Sequence, residues 1–185
     1  MTDCSHALTL AALALSFAAA AALPAQSQMR SGAAIETGAS GLPVPRFASL
    51  KAQPVNLRKG PGLQYPTAWV LKRAGMPLEI TREFEAWRQV RDAEGTTGWV
   101  HRSLLSGRRT AVVQPWDVKA GAARPIFDVR ARASAASQIV VRFEAGALVG
   151  VARCDGTWCR VFHEAYSGYL QQKNLWGVYP REIVR

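Results

Sequence analysis

Gly75-Met76-Pro77-Leu78, Ala86-Trp87-Arg88-Gln89-Val90 and Gly98-Trp99-Val100 return further along the chain in altered form. The second version reads Gly146-Ala147-Leu148-Val149, Thr157-Trp158-Cys159-Arg160-Val161 and Gly168-Tyr169-Leu170. The copies lie 71 residues apart at the first two blocks and 70 at the third, and upstream Asn56-Leu57-Arg58 meets Asp128-Val129-Arg130 at 72. Four blocks in one order, drifting by a residue between them, mark two copies of one small unit, so fold and function are read per copy.

Within each copy the apolar residues keep the period of a strand. Leu78-Glu79-Ile80 and Val149-Gly150-Val151 alternate with period two, each three residues after a glycine. Trp87 to Val90 and Trp158 to Val161 read as the returning strands of hairpins. From Arg46 onward, runs of four to six residues are separated by Gly, Pro and Asp, with no helical spacing of apolar positions. Short strands at such intervals argue an all-β fold, and a copy of roughly 60 to 70 residues supports one small barrel. The reading is therefore two barrels in tandem, at residues 46–115 and 116–185. Closing a small sheet removes edges that would pair with other chains. In this reading Trp87, Trp99 and Trp158 fill the barrel interiors.

The first 45 residues have a different composition. Ala7 to Leu23 is an apolar, Ala-rich run ended by Pro24, with Ala22 and Ala25 as small residues suited to cleavage. Its 17 residues fit a signal-peptide core and are short for a membrane span. Against this, Asp3 and His6 precede the run where basic residues are usual, which leaves an uncleaved anchor or a misassigned start as alternatives. Residues 1–25 are thus expected to be a signal peptide. Residues 26–45, rich in Gly, Ala, Ser and Pro, are expected to be a flexible tether. The expected location is periplasmic or secreted.

All 23 Lys and Arg, 18 of them Arg, lie beyond residue 25 with 12 of the 13 acids, so the mature chain would carry about +11. That excess suits an anionic partner such as cell-wall carboxylates or lipid phosphates; it also suits a merely solvated Arg-rich surface. No aromatic stripe accompanies the charge, so nucleic acid is not expected.

Removal of Cys4 with the signal peptide would leave Cys154 and Cys159. A two-residue Asp155-Gly156 turn would set them diagonally, roughly 7–8 Å apart at the α-carbons and beyond a relaxed disulfide. A four-residue loop, Asp155 to Trp158, sets them directly opposite. The sequence therefore predicts a disulfide across that hairpin neck.

Val55-Asn56-Leu57-Arg58-Lys59-Gly60-Pro61-Gly62, then Gly75, Trp87-x-x-Val90 and Gly98-Trp99-Val100 resemble the bacterial Src-homology-3-like domain. The second copy departs from that pattern: no Gly-Pro follows Phe127-Asp128-Val129-Arg130, and Gly168-Tyr169-Leu170 replaces the close. Its Cys-x-x-x-Trp-Cys-Arg-Val run looks like the disulfide variant of the family. The tandem form after a signal peptide is similar to a group of secreted envelope proteins. The resemblance implies a role in binding peptidoglycan or its stem peptides, or in positioning a partner protein; the fold alone does not choose between them.

The candidate binding residues are Tyr65, Trp69 and Trp116, in loops or near the copy boundary, where they would form a stacking surface for sugar or peptide. Arg58 and Arg130 recur at the same point of each copy. Each either holds a turn carbonyl or a salt bridge, or offers a guanidinium fork to a stem-peptide carboxylate. No catalytic constellation is expected: His101 and His163 have no metal-ligand spacing, and both mature cysteines are committed. Gly60-Pro61-Gly62 is a turn without the Gly-Lys-Ser/Thr of a phosphate loop. No metal or cofactor is expected. The function expected is a non-catalytic binding module for peptidoglycan or stem peptides, the alternative an envelope adaptor that docks another protein through the tandem surface.

Overall fold

The computed structural model describes residues 36–117 and 120–185. The expected signal peptide, 1–25, and tether residues 26–35 lie outside the described residues.

Among the described residues, seventeen strands follow one another. The first nine are β1 (Glu36–Thr37), β2 (Pro43–Val44), β3 (Arg46–Leu50), β4 (Val55–Arg58), β5 (Thr67–Leu71), β6 (Pro77–Phe84), β7 (Trp87–Arg91), β8 (Thr97–His101) and β9 (Leu105–Ser106). The remainder are β10 (Thr110–Val113), β11 (Ile126–Arg130), β12 (Ile139–Glu144), β13 (Leu148–Asp155), β14 (Trp158–His163), β15 (Tyr166–Gln171), β16 (Leu175–Trp176) and β17 (Ile183–Val184). The first barrel has the order β5-β4-β8-β7-β6-β3-β9, and the second repeats it as β12-β11-β15-β14-β13-β10-β16, with β17 added on β13. The all-β tandem read from the repeat is what the chain forms.

Two details differ from the sequence reading. Where composition predicts tether, β1 pairs with β2, Val44 is buried, and Ser40 bonds to Glu83 of the first barrel. Apolar contact and a carboxylate partner fix a segment that composition alone leaves loose. The second barrel also draws on residues upstream of 116, because β10 pairs with β13 and β16.

Each barrel has its own core. Leu50, Val55, Leu57, Leu78, Ile80, Val90 and Val100 pack in the first; Ala111, Val113, Val129, Val149, Val161 and Leu170 pack in the second. The glycine of each Gly-Trp-Val or Gly-Tyr-Leu block is needed for close approach. A Cβ on Gly98 would stand 2.5 Å from Leu57 Cγ, and one on Gly168 would stand 2.7 Å from Val129 Cγ1.

The tryptophans correct the expectation that they fill these cores. Val90 and Val100 are buried while Trp87 and Trp99 alternate with them on the other face, half-buried; Trp158 likewise alternates with Cys159 and Val161. Successive strand residues point to opposite faces, so a Trp three residues before an inward Val points outward. Arg88, on the same face as Val90, is buried instead. It donates through Nη1 to the Glu85 and Trp87 carbonyls and pairs with Glu83 at 3.0 Å.

The disulfide forms as read. Cys154 and Cys159 are directly opposed, with α-carbons 4.1 Å apart. Asp155 Oδ1 accepts from the Thr157 and Trp158 amides and closes the turn, and those two bonds, with burial opposing, hold its carboxyl below its ordinary range.

The glycine turns that announce the repeat meet at the seam between the barrels. Thr110 Oγ1 donates to the Gly75 carbonyl at 2.6 Å, and Arg73 Nη1 donates to the Gly146 carbonyl at 3.1 Å. Both glycines have positive φ, 78° and 85°, a region that L-residues avoid.

Candidate functional site

In β6, Leu78 and Ile80 face the first core, which turns Glu79 outward. Phe47 of β3 and Arg91 of β7 are its direct cross-strand partners, so Phe47, Glu79 and Arg91 form a row on one face of the sheet. That row is not left to solvent. The chain after β16 folds back over it, and Glu79 is only 5% exposed.

Trp176 and Tyr179 make the closure. The Phe47 ring meets Trp176 edge-on at 5.3 Å between centroids and lies 4.8 Å from Tyr179. The Arg91 guanidinium stands 5.6 Å from the Trp176 ring centre, a cation–π distance. Tyr179 Oη donates to Glu79 Oε1 at 3.0 Å and Arg91 Nε donates to Glu79 Oε2 at 2.8 Å, so the buried carboxylate is matched on both oxygens. Burial, reinforced by the Glu79 charge, pushes the Tyr179 phenol well above its ordinary range. It therefore remains a donor at any physiological pH.

A second layer fixes Tyr179. Gln172 Nε2 donates to the Tyr179 and Glu182 carbonyls at 2.7 and 3.0 Å, and the Tyr179 amide donates to Glu182 Oε2 at 2.8 Å. Arg109 Nη1 donates to Glu182 Oε1 at 2.8 Å. Three buried polar atoms in this region have no partner among the described residues: Arg109 Nε, Gln172 Oε1 and Trp176 Nε1. Buried groups of this kind are rarely left unmatched.

The seam leaves a cleft of about 600 Å³ between the barrels, walled by Phe47, Trp116, Trp176 and Tyr179, with Lys173 and Arg181 also lining it. The volume lies within the usual range for small-molecule sites, and apolar walls with a few placed polar groups are the usual composition. Such a cleft can take a sugar or short peptide by ring contact while the cations receive a carboxylate.

The five candidate residues do not converge. Trp116, 51% exposed on the turn Pro115–Asp117, lines the cleft. Arg58 Nη1 donates to the Leu63 and Tyr65 carbonyls at 3.1 and 2.7 Å, so it holds the loop that follows β4. Arg130 does the same in the second barrel, donating to the Ser137 carbonyl at 2.7 Å and pairing with Asp128 at 3.3 Å. Tyr65 sits over Gly60, where a Cβ would meet its ring at 2.5 Å. Trp69 lies on β5, largely exposed.

Sequence reading missed Phe47, Glu79, Arg91, Trp176 and Tyr179. One signal was present. Strand register makes Trp176 the counterpart of Ser106, since Leu50 pairs with Leu105 and Val113 with Leu175. The copies therefore part at Ser106-Gly107-Arg108-Arg109 and Trp176-Gly177-Val178-Tyr179, where only the second gains aromatic residues.

The histidines stand apart. His101 Nδ1 is 2.7 Å from Ser103 Oγ in the first barrel, and His163 meets the Phe143 ring in the second.

Among solved structures, the chain is similar to NlpC2 from Trichomonas vaginalis, with 18% identity, 71% of this chain and 48% of that chain covered, and a TM-score of 0.29. It is also similar to NlpC1 from Trichomonas vaginalis, with 17% identity, 76% and 48% covered, and a TM-score of 0.31. The chain spans about half the length of these two structures. No curated protein sequence matches it. The family model described as the bacterial SH3 domain matches residues 51–107 and again 124–177. With one match over each barrel and more than half of its residues included, this chain belongs to the bacterial SH3 domain family.

Proposed function

We propose that this chain is a non-catalytic binding module of the bacterial envelope, exported by a cleaved signal peptide, that recognises peptidoglycan or its stem peptides in the cleft between its barrels. The observation that carries this reading is the aromatic cleft itself: four ring side chains from both barrels around one space, with cations beside them. Sugar rings and aliphatic peptide segments suit such walls, and free carboxylates suit Lys173 and Arg181. Trp116 contributes an exposed ring to this surface, and Tyr65 and Trp69 offer a further contact for an extended polymer. Arg58 and Arg130 act by holding their loops. The Cys154–Cys159 bond fits an oxidising compartment outside the cytoplasm.

Co-sedimentation with purified sacculi tests the reading. The full chain is expected in the pellet at low salt. Trp116→Ala is expected to weaken retention roughly tenfold, as loss of an exposed aromatic anchor does. Trp69→Ala should weaken it less. A wild-type chain that stays in the supernatant at low salt overturns the reading and favours docking to a partner protein.

A further inference from the structure

The seam holds a second cleft, of about 480 Å³, which shares no lining residue with the aromatic one. Lys51, Arg73 and Arg108 line it, with His163 and Glu164 also on its wall. Six arginines of the described residues, Arg46, Arg88, Arg91, Arg109, Arg130 and Arg142, each pair with an acid that neutralises them. Among the described residues, neither Arg73 nor Arg108 does so, and nor does Lys51.

Both guanidinium groups are nonetheless oriented. Arg73 spends one nitrogen on the Gly146 carbonyl, 3.1 Å away, and keeps its charge. Arg108 has its guanidinium 5.8 Å from the Phe162 ring centre, while its carbonyl is held by Ser49 Oγ at 2.8 Å. A neutral carbonyl and an aromatic face position a cation without neutralising it. Against these three cations the cleft wall carries one acid, Glu164, which stands 3.9 Å from His163. The Thr110–Gly75 bond across the seam fixes the walls.

We propose that this cleft binds a phosphate group. Three positive charges around one small cavity exceed what a single carboxylate neutralises, whereas a phosphomonoester or pyrophosphate brings about two negative charges and several acceptor oxygens. The phosphate belongs either to a soluble phosphorylated ligand or to the headgroup of an anionic lipid. The site stands independently of the peptidoglycan reading.

The full chain is titrated with inorganic pyrophosphate by calorimetry, and separately co-sedimented with vesicles of phosphatidic acid, a phosphomonoester lipid, in phosphatidylcholine. Lys51→Gln, Arg73→Gln and Arg108→Gln are compared with Arg82→Gln, an exposed arginine of β6 outside the cleft. Each cleft variant is expected to weaken binding roughly tenfold, the loss typical of one charge-assisted bond, with the Arg82 control changing by less than about twofold. Lys51→Gln keeps the test valid should Arg73→Gln disturb the seam, since no side-chain bond of Lys51 exists among the described residues to be lost. Pyrophosphate binding with this pattern supports the site with a soluble ligand, and vesicle binding alone with the same pattern supports a headgroup. Absence of binding to either probe, or equal weakening by Arg82→Gln, overturns it as general attraction to a basic chain. Sacculus retention of the same variants should be unchanged, which separates failure here from failure of the peptidoglycan reading.

Discussion

Across the β6–β7 hairpin of the first barrel, Glu83 faces Arg88; across the β13–β14 hairpin of the second, Cys154 faces Cys159. The spacing of the repeat makes these the same two positions, 71 residues apart. One neck is closed by a buried ion pair and the other by a covalent bond. Each tie also receives a neighbouring segment. Glu83 accepts from Ser40 and Arg46 and so gathers in the chain that enters the first barrel. Cys154 and Asp155 pair with Val184 and Ile183, so the second neck gathers in the chain's final strand. A hairpin neck that must also hold a passing segment requires a strong tie, and the two copies meet that need with chemistries that answer to different conditions.

The largest effect should come from the ionic neck. Glu83→Gln leaves Arg88 buried with only carbonyl partners, and breaking a buried pair in this way costs about 3 kcal/mol. The loss is read as a lower denaturation midpoint at neutral pH. Burial raises the Glu83 pKa, yet its bonds from Arg46 and Ser40 outweigh burial and hold the carboxyl below its ordinary range. A carboxyl lowered in the folded state contributes stability above the unfolded pKa, about 4.3, and that contribution is lost as pH falls. The wild-type chain should therefore lose stability below that pH more steeply than Glu83→Gln does. Equal acid sensitivity in the two proteins would break the comparison.

The covalent neck should give a smaller effect. Closing so short a loop contributes about 2 kcal/mol in the chain-entropy model. Cys154→Ser combined with Cys159→Ser should lower the midpoint accordingly, and dithiothreitol should do the same to the wild type and nothing further to the variant. Reductant separates the two ties, since it acts on the second neck alone; acid acts on the first through Glu83 and also on the turn of the second through Asp155. Reductant without effect on the wild type would remove the disulfide's share.

The contrast between necks was half legible in the sequence. Cys154-x-x-x-x-Cys159 gives its register because only direct opposition permits the bond, whereas Glu83 and Arg88 read as two charges in an ordinary hairpin. Strand alternation puts Arg88 on the face of Val90, but a charged residue there carries no mark in the sequence that it is buried with an acid from the facing strand. The tandem fold was legible because glycine turns, period-two runs and the repeat agree with one another. The aromatic cleft was much less so. Leu78-Glu79-Ile80 has the alternation of a strand with one wet face, and Glu79 is buried only because the second copy covers that face. Burial created by packing one unit against another leaves no periodic mark. The same limit applies to β10, whose four residues belong to the second sheet yet precede every repeated block of the second copy.

The segments that leave the barrels extend the comparison to its smallest expected effect. After β9 the first copy carries Arg108 and Arg109 and leads into β10; after β16 the second carries Tyr179, which returns to the first barrel. Tyr179→Phe keeps the ring against Phe47 and removes only the bond to Glu79, so it should lower stability at neutral pH by about 1 kcal/mol. Its diagnostic is at the alkaline end. A phenol whose folded pKa lies above the unfolded value of about 10 holds its proton longer when folded, so its contribution is present below that pH and declines as pH rises past it. The wild type should lose stability above about pH 10, and Tyr179→Phe should lack that part of the decline. Glu79 remains paired with Arg91 in the variant, which confines the difference between the curves to one phenol. Parallel alkaline curves would mean that Tyr179 contributes packing alone, and that the returning segment is held through Gln172 and Glu182.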